Sequence, residues 1–315
     1  MKKLIAIFLV GLVFLSFGSQ AASWEMLWDK QVGKVVVDHN LIDNTVRLFA
    51  TDKATGDLYS YNAQSNGWTR ASDPARSFVS SGEGLYRLSS DGKTTSRYIA
   101  PDNWETLPGG TALTLIGGGN KLYSTKSPNK DLYEYTGTSF KLIKDGRGKA
   151  FAAGGCKECS QPSEHQLGYI YRIATDGQSV WMYPKGMGDY TWNKIGGPAS
   201  AIYAGAGASA PSVFAVDPVT GTLWHYKGVA AWDQVGYSGK MWAIDIIVDG
   251  WNVRETLYGL SPSGNDIYRW GGDPDPDDWT KIDTAQLNKP LQSIYAGGGQ
   301  VYAVASGGRL WRYEP

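Results

Sequence analysis

The most abundant residues with binding chemistry are aromatic, since the chain of 315 residues contains 13 tryptophans and 19 tyrosines. An indole ring can stack on the apolar face of a sugar, and it can equally fill a hydrophobic core. One aromatic group is Leu223-Trp224-His225-Tyr226, which Trp232 follows after a short polar break. Similar runs recur along the chain, and we take these residues from them as candidate carbohydrate-binding residues: Trp181, Trp192, Trp224, Tyr226, Trp232, Trp279 and Trp311. Trp251, which lies outside these runs, completes the candidate carbohydrate-binding set.

The two cysteines form a C-x-x-C motif, Cys156-Lys157-Glu158-Cys159, which is compatible with redox chemistry, a metal site or a local disulfide. No helix that would lower a thiol pKa is evident around the motif. A zinc site needs four ligands, and only His165 is close in sequence. We therefore expect Cys156 and Cys159 to form a disulfide that tightens a loop.

An acidic stretch, residues 273–278, carries oxygen ligands of the kind that bind calcium. Its two prolines stiffen the spacing, and the order of its ligands differs from that of an EF-hand. We expect a solvated loop there and predict no metal site.

Catalytic signatures are scarce. The three histidines, His39, His165 and His225, lie far apart in sequence, and no G-x-S-x-G, H-E-x-x-H or Walker motif is present. The paired carboxylates of glycoside hydrolases converge only in three dimensions, so this alternative stays open. We predict a protein that is not an enzyme and that needs no cofactor.

The charge balance and the first residues restrict partners and location. The 30 basic residues equal the 30 acidic ones, whereas nucleic acids and anionic membranes attract basic surfaces. Residues 1–21 combine Lys2 and Lys3 with an apolar run and small residues at a cleavage site, the pattern of a secretory signal peptide. No later stretch approaches a transmembrane helix. We expect a secreted or periplasmic protein without membrane insertion, with residues 22–315 as one mature domain.

The elements that must position the aromatic residues follow from a repeat. An aromatic residue opens a similar unit roughly every 40 residues, a period typical of propellers, solenoids and arrays. Seven units are opened by Trp28, Trp68, Trp104, Phe140, Trp192, Trp232 and Trp279. Each unit has four strand-like runs separated by turn residues, and helical periodicity is absent. The pattern predicts an all-β fold, a seven-bladed β-propeller with four antiparallel strands in each blade.

Each end of the chain carries part of one unit. Residues 24–33 contain an opening aromatic with no strand before it, and the last unit, residues 291–313, stops after its third strand. We therefore expect residues 24–33 to supply the outermost strand of the last blade, because this closure leaves no unpaired sheet edge. In this alignment Trp24, Trp242 and Trp251 fall outside the repeat.

One regular unit consists of Trp192-Asn193-Lys194-Ile195-Gly196-Gly197, Ile202-Tyr203-Ala204-Gly205, Val213-Phe214-Ala215-Val216 and Leu223-Trp224-His225-Tyr226. It resembles the repeat of tectonin and tachylectin-type propellers, and the resemblance covers nearly all of residues 22–315. The resemblance implies a seven-bladed lectin that binds glycans in clefts between adjacent blades. Two units depart from the pattern, because Phe140 replaces a tryptophan and Ser96-Arg97-Tyr98 replaces the Leu-Trp-x-Tyr run.

Two interpretations of the repeated tryptophans stay open: they fill the outer space between blades, or some of them bind sugars at open rims. Several weak sites on a rigid ring would gain avidity on a glycan-coated surface. We predict a lectin-like protein that binds glycans by aromatic stacking and by hydrogen bonds to hydroxyl groups.

The alternative is a protein-binding scaffold that uses one face of the ring, the loop face. Loops from first to second strands and from third to fourth strands emerge on the same side of a propeller. The irregular ones are residues 38–46, 155–168, 206–211, 249–255 and 273–278. Trp251 is the candidate binding residue here, because loops carry function more often than the scaffold does.

Overall fold

The regular structure consists of short β-strands, as aromatic and β-branched runs between turn residues predict. The computed structural model describes residues 22–40, 45–119, 121–126, 130–155, 168–184, 190–205, 211–228, 231–249, 252–272 and 277–315. Within these ranges 28 strands form seven sheets of four antiparallel strands. This part of the chain holds no helix with the length and apolar character that crossing a membrane requires. The prediction of a seven-bladed, all-β propeller is confirmed.

Each of the first six blades uses four consecutive strands, from the ring axis outward. Blades one and two contain β2 (Val32–Asn40), β3 (Thr45–Asp52), β4 (Leu58–Asn62), β5 (Gly67–Ser72), β6 (Ala75–Ser81), β7 (Gly84–Ser89), β8 (Thr95–Ala100) and β9 (Asn103–Thr106). Blades three and four contain β10 (Thr114–Gly118), β11 (Lys121–Lys126), β12 (Asp131–Tyr135), β13 (Phe140–Leu142), β14 (Ala150–Gly155), β15 (Gly168–Ile173), β16 (Val180–Tyr183) and β17 (Asn193–Gly196). Blades five and six contain β18 (Ala201–Ala204), β19 (Val213–Val216), β20 (Leu223–Tyr226), β21 (Trp232–Gly236), β22 (Met241–Asp249), β23 (Asn252–Leu260), β24 (Ile267–Trp270) and β25 (Trp279–Ile282). Blade seven contains β26 (Ser293–Gly297), β27 (Gln300–Val304), β28 (Leu310–Glu314) and β1 (Ser23–Trp28).

The strand nearest the N-terminus closes the ring, because β1 pairs antiparallel with β28 as the outermost strand of blade seven. The predicted closure is therefore confirmed, but the predicted strand, residues 24–33, is too long. β1 ends at Trp28, and Val32 already begins the inner strand of blade one. The physical reason is burial: Val32 packs into blade one, whereas residues 29–31 are exposed and connect the two blades.

The register of β1 corrects the alignment of the repeats. Trp24 lies opposite Tyr313 in the same way that Trp232 lies opposite Tyr226. Trp24 therefore holds the repeat position that the sequence alignment gave to Trp28, and that assignment was wrong. The alignment failed because the residues after Trp28 imitate those after Trp232 in sequence, although they belong to the next blade.

Two of the predicted loops are largely strand. β2 and β3 cover both ends of residues 38–46, and within residues 249–255 the strands β22 and β23 pair as far as Asp249 and Asn252. Both loop predictions were wrong because two paired strands can extend beyond the blade as a ribbon whose backbone N–H and C=O groups bond to each other. Such a ribbon needs no hydrophobic pattern, so the sequence did not reveal it. Residues 156–167, 206–210 and 273–276 lie outside the described ranges, which leaves the other loop predictions open.

Glycine allows the inner strands to meet at the ring axis. A Cβ atom at Gly117 would lie 2.0 Å from the main-chain oxygen of Ser80, and one at Gly118 would lie 1.8 Å from that of Ala153. These contacts with neighbouring blades leave no space for a side chain, as the glycine-rich first strands predicted. The second strands are buried on both faces, and Phe214 has 0% exposure, because each blade is packed between two others.

Candidate functional site

Tryptophans at or beside the fourth strand join six of the seven blades to the preceding one, and blade three has Phe140 instead. The indole Nε1–H donates a hydrogen bond to a main-chain carbonyl oxygen of the neighbouring blade. The donor–acceptor pairs are Trp68–Leu27 (2.8 Å), Trp104–Ala71 (2.9 Å), Trp192–Lys144 (3.1 Å), Trp232–Ile195 (2.6 Å) and Trp279–Val235 (2.7 Å). Trp24 donates in the same way to Asp283, at 2.7 Å, as its corrected position requires. A ligand would meet the ring faces of these residues, because their N–H groups are already engaged.

A cleft lies on the outer side between each blade and the one before it, and we number each cleft by its two blades. Its floor is a second-strand residue, paired across the ladder with a third-strand residue of the same blade. In chain order the pairs are Ala50–Tyr59, Arg87–Ser96, Ser124–Tyr133, Arg172–Trp181, Ala215–Trp224, Gly259–Tyr268 and Ala303–Trp311. The fourth-strand aromatic forms one wall. All clefts therefore share one framework and differ in the side chains that occupy it.

Cleft 4/5 is open and encloses a cavity of about 210 Å³. Its floor is Ala215, and the rings of Trp224 and Trp232 line it while remaining partly exposed. A Cβ atom at Gly196 would lie 2.9 Å from the Trp232 ring. The glycine therefore allows the indole to lie close to the neighbouring backbone, with its Nε1–H bonded to the adjacent Ile195.

A carboxylate stands at the rim of cleft 4/5. Asp217 begins the turn between β19 and β20, and its Oδ1 accepts hydrogen bonds from the backbone N–H groups of Thr220 (2.7 Å) and Val219 (2.8 Å). Gly221 completes this turn with a φ of 73°, as the turn residues predicted. The N–H groups of Thr220 and Val219 lower the pKa of Asp217, so its charge is retained at the rim.

Cleft 5/6 has the same framework and a larger cavity, of about 300 Å³. Its floor is Gly259, and the rings of Tyr268 and Trp279 correspond to those of cleft 4/5. Trp242 closes one side, since a Cβ atom at Gly259 would lie 2.4 Å from its ring. Tyr237, which is 59% exposed, adds a fourth aromatic ring at the edge.

In clefts 1/2 and 3/4 the floor residue is an arginine that covers the tryptophan. The guanidinium carbon of Arg87 lies 4.5 Å from the ring centre of Trp104, and that of Arg172 lies 4.2 Å from the ring centre of Trp192. Burial lowers the pKa of both guanidinium groups, which nevertheless stay protonated. The face of each tryptophan that would receive a ligand is therefore occupied by the protein itself.

Other side chains fill clefts 7/1 and 2/3. The ring centre of Trp28 lies 4.6 Å from that of Trp68 and 5.3 Å from that of Tyr59. In cleft 2/3 the ammonium group of Lys126 lies 4.5 Å from the ring centre of Tyr133. Trp28 thus has a specific role, although it is not the repeat tryptophan that its sequence context suggested.

Cleft 6/7 is covered by the long connection between blades six and seven. Leu287 of this connection is buried in one cluster with Trp24, and Trp311 packs against the same cluster. The Nε1 atom of Trp311 is buried without a hydrogen-bond partner in the described part of the chain. Clefts 4/5 and 5/6 thus differ from the other five in retaining a cavity beside their third- and fourth-strand rings. In cleft 5/6 this cavity remains although Trp242 packs against the floor glycine and lies 5.6 Å from the ring centre of Trp279.

The predicted residues therefore separate into groups. Trp224, Trp232 and Trp279 line the open clefts, and Trp181 and Trp192 are covered by Arg172. Tyr226, with 4% exposure, supports Trp232 from behind at 5.4 Å between ring centres. Trp311 lies in the covered cleft 6/7. Trp251, Cys156 and Cys159 lie outside the described residues, so the disulfide stays a prediction.

Three residues of the open clefts were missed by the sequence analysis: Tyr237, Trp242 and Tyr268. Tyr268 occupies the repeat position of Trp224 and lies opposite Gly259, as Trp224 lies opposite Ala215. An alignment of the third strands could have identified it. Trp242 and Tyr237 follow the fourth strand of blade five and have no counterpart that a repeat pattern would identify.

A separate polar cluster joins blades five and six. The Oγ atom of Ser212 lies 2.8 Å from His225 Nε2 and 2.9 Å from Glu255 Oε1, and Nε2 is 3.2 Å from the same carboxylate oxygen. In a serine–histidine–acid triad the imidazole bridges hydroxyl and carboxylate through its two different nitrogens. Here one nitrogen faces both groups, and Nδ1 has no partner among the described residues. The geometry indicates a buried structural network.

The comparisons with known proteins identify the fold only. No protein-family model and no curated protein matches the chain. YCF48 from Cyanidioschyzon merolae is similar over 93% of this chain and 99% of its own, with 13% identity and a TM-score of 0.56. Virginiamycin B lyase from Staphylococcus aureus has 10% identity and a TM-score of 0.60 over the same shares, 93% and 99%.

A structure described as YCF48 bound to D1 peptide has 10% identity and a TM-score of 0.55, and the match covers 95% of this chain and 96% of that one. Neighbours of the same fold thus include a lyase and a peptide-bound protein, so the fold by itself assigns no activity. The tectonin and tachylectin-type resemblance stays a prediction.

Proposed function

We propose that the protein is a secreted, non-catalytic carbohydrate-binding protein that holds sugars in clefts 4/5 and 5/6. The observation that supports this most directly is the equivalence of the two cavities. Each combines a small floor residue, Ala215 or Gly259, with two partly exposed aromatic rings from the third and fourth strands. A repeated, aromatic, concave site is suited to a ligand that is itself repeated on a surface.

The chemistry of the lining matches that of a pyranose ring. The apolar C–H face of a sugar stacks on the ring of Trp232 or Trp279, while carboxylate and backbone carbonyl oxygens accept bonds from its hydroxyl groups. Asp217 supplies such a carboxylate in cleft 4/5 and Asp277 in cleft 5/6. Cavities for drug-sized ligands measure ~300–1,000 Å³, and about 210 and 300 Å³ are therefore suited to a single sugar residue.

The carboxylates also favour binding over hydrolysis. A glycoside hydrolase places two carboxyl groups on either side of the scissile bond. Among the described residues, Asp217 is the one carboxylate that lines cleft 4/5, and Asp277 is the one that lines cleft 5/6. The buried network of Ser212 and His225 lacks the bridging geometry of a nucleophilic triad.

Two weak sites on a rigid ring bind a glycan-coated surface more strongly than either site alone. Linked binding raises the overall affinity by ~10²–10⁴ when both sites can be engaged together. The predicted secretory signal peptide would deliver the protein to compartments where such surfaces occur.

The experiment that tests the proposal is a glycan array with residues 22–315, followed by single substitutions of third-strand rings. Trp224→Ala should abolish binding at cleft 4/5 and Tyr268→Ala at cleft 5/6, since each removes a stacking ring but keeps the fourth-strand tryptophan and its hydrogen bond. Trp181→Ala is the matched control, because Trp181 holds the same repeat position in a covered cleft. A blank array, or equal loss in all three variants, would contradict the proposal.

A second candidate, a protein-binding scaffold, is favoured by a groove of about 520 Å³ at blades seven, one and two. Two arginine–tyrosine pairs line it, with guanidinium carbons 5.6 Å (Arg47 and Tyr98) and 5.9 Å (Arg312 and Tyr61) from the ring centres. A library of random peptides provides the test. Peptide binding that is blocked by the bulky change Gln64→Tyr at the groove, and retained by Trp224→Ala, would support the scaffold over the lectin.

A further inference from the structure

An arginine at the floor position fills its cleft, whereas a small floor residue leaves the cleft free unless another side chain fills it. Five blades carry a small residue there, Ala50, Ser124, Ala215, Gly259 and Ala303, and two carry Arg87 and Arg172. Both arginines lie over the tryptophan of their own cleft. The floor residue and the ring it covers belong to different strands, so this pairing exists only in the folded blade.

The arginine of cleft 3/4 is held as a ligand would be. Its guanidinium carbon lies 4.2 Å from the ring centre of Trp192 and 5.4 Å from that of Trp181. Its Nη1 donates to the main-chain oxygen of Arg147 at 2.6 Å and also to that of Asp145. The group thus stacks on an aromatic face and donates hydrogen bonds to the neighbouring blade, which are the two interactions proposed for a sugar.

The arginine of cleft 1/2 is bound at the corresponding place. Arg87 stacks on Trp104 at 4.5 Å, and its Nη1 donates to Ser72 Oγ at 2.6 Å. Ser72 directly follows the residue whose carbonyl binds the indole of Trp104, and Asp145 has the same relation to Trp192. In the open clefts this position is a glycine, Gly196 or Gly236, which presents no side chain to an occupant.

We propose that Arg87 and Arg172 are built-in occupants that close clefts 1/2 and 3/4 to sugars, and that exchanging the floor residue between clefts 3/4 and 4/5 moves a site from one cleft to the other. This inference rests on the proposed function. A tethered guanidinium has an effective concentration in the millimolar range or above. It therefore excludes a weakly bound monosaccharide from the ring face beneath it. The open clefts carry Ala215 and Gly259, which cannot reach across the ring.

The test exchanges the two floor types and observes each tryptophan separately. Protein labelled with ¹⁵N-tryptophan is titrated with methyl β-glucopyranoside and with methyl β-galactopyranoside, and the indole N–H signals are followed by NMR. The signals of Trp192, Trp232 and Trp279 are assigned from single Trp→Phe variants. In the natural sequence, the signals of Trp232 and Trp279 should shift on titration, and that of Trp192 should not.

Arg172→Ala should make the Trp192 signal respond, with an affinity within about tenfold of that at Trp232. Ala215→Arg should weaken the response of Trp232 at least about tenfold and leave Trp279 unchanged. The Trp279 response shows in each variant that the propeller is folded. Trp181→Ala, which leaves Arg172 in place, is the control and should leave Trp192 unresponsive.

The experiment distinguishes failure of the arginine occupant from failure of the sugar sites themselves. If Trp232 and Trp279 respond but Trp192 stays silent in folded Arg172→Ala, the built-in occupant is refuted and the sugar sites remain. If Arg172→Ala does not fold, Ala215→Arg decides, and an undiminished Trp232 response refutes the inference. If no tryptophan of the natural protein responds to either glycoside, the sugar sites themselves are refuted, and the inference is refuted with them.

Discussion

Clefts 3/4 and 4/5 are neighbours with the same framework, but the first is filled by a side chain and the second is open. Each has a third-strand tryptophan, Trp181 or Trp224, and a wall tryptophan bonded to the preceding blade. Cleft 3/4 is filled by Arg172, whereas cleft 4/5 encloses a cavity of about 210 Å³ over Ala215. The tryptophans of the repeat therefore maintain the ring, and neighbouring side chains decide whether a ring face is covered or open.

The N–H group and the ring face of the wall tryptophan have different surroundings in these two clefts. The indole N–H of Trp192 and that of Trp232 both stabilise the contact between blades, at 3.1 and 2.6 Å from their acceptors. The ring faces differ, because one is covered by a cation and the other borders a cavity. The packing interpretation therefore applies to the indole N–H of both residues, and the ligand-binding interpretation stays a proposal for the open ring face.

The largest effect is expected from removing the wall tryptophans. Trp232→Ala should lower the free energy of unfolding by about 3–5 kcal/mol, the usual loss for a tryptophan truncated to alanine in a packed site. Trp192→Ala should cost about 1 kcal/mol more than Trp232→Ala, because Arg172 also loses its stacking partner. Urea denaturation measures both. A larger loss for Trp232→Ala would contradict the role given to Arg172.

A smaller effect is expected from removing only the indole N–H. Trp232→Phe keeps a large ring but leaves the carbonyl of Ile195 without its donor, and it should cost about 1 kcal/mol. Trp192→Phe should cost less, since its hydrogen bond is longer and Arg172 still stacks on the ring. Phe140 already holds this position in blade three, so the change is sterically tolerated. Equal unfolding midpoints for Trp232→Phe and the natural protein would exclude the bond as a contributor.

The smallest effect concerns the rim of the open cleft. Asp217 has a lowered pKa in the folded protein, and its equivalent in cleft 3/4 is Ala174, whose N–H makes the same turn bond. A carboxyl group whose pKa is lowered by folding stabilises the folded protein at pH values above its pKa in the unfolded chain, which is about 4. This stabilisation is lost as the pH falls through the pKa of the group in the folded protein.

Asp217→Asn should therefore reduce the loss of stability on acidification that the natural protein shows below about pH 4. Urea denaturation at pH 6, 4 and 2.5 measures the difference between the two proteins. A pH dependence identical in both would show that the Thr220 and Val219 bonds do not contribute.

Local sequence patterns determined most of the fold. Turn residues such as Asp217 and Gly221 fix hairpins through their own backbone preferences, and consecutive apolar residues in second strands report burial on both faces. The unit truncated at each end was sufficient to predict that β1 completes blade seven. The strand was predicted too long because the residues after Trp28 imitate those after Trp232 in sequence. The register of Trp24 opposite Tyr313 and its bond to Asp283 identify Trp24 as the repeat tryptophan.

The number of blades, their strand order and the closure could thus be predicted from local sequence, since they depend on periodicity and on turns within short segments. The tertiary structure decided which clefts are open, because each cleft is assembled from residues of two blades. Arg172 lies over the ring of Trp192 and donates hydrogen bonds to the carbonyl oxygens of Asp145 and Arg147. No local sequence pattern links these positions. The physical reason is that one face of an indole ring has room for one stacked group. Which group stacks there depends on which side chain the fold places next to the ring.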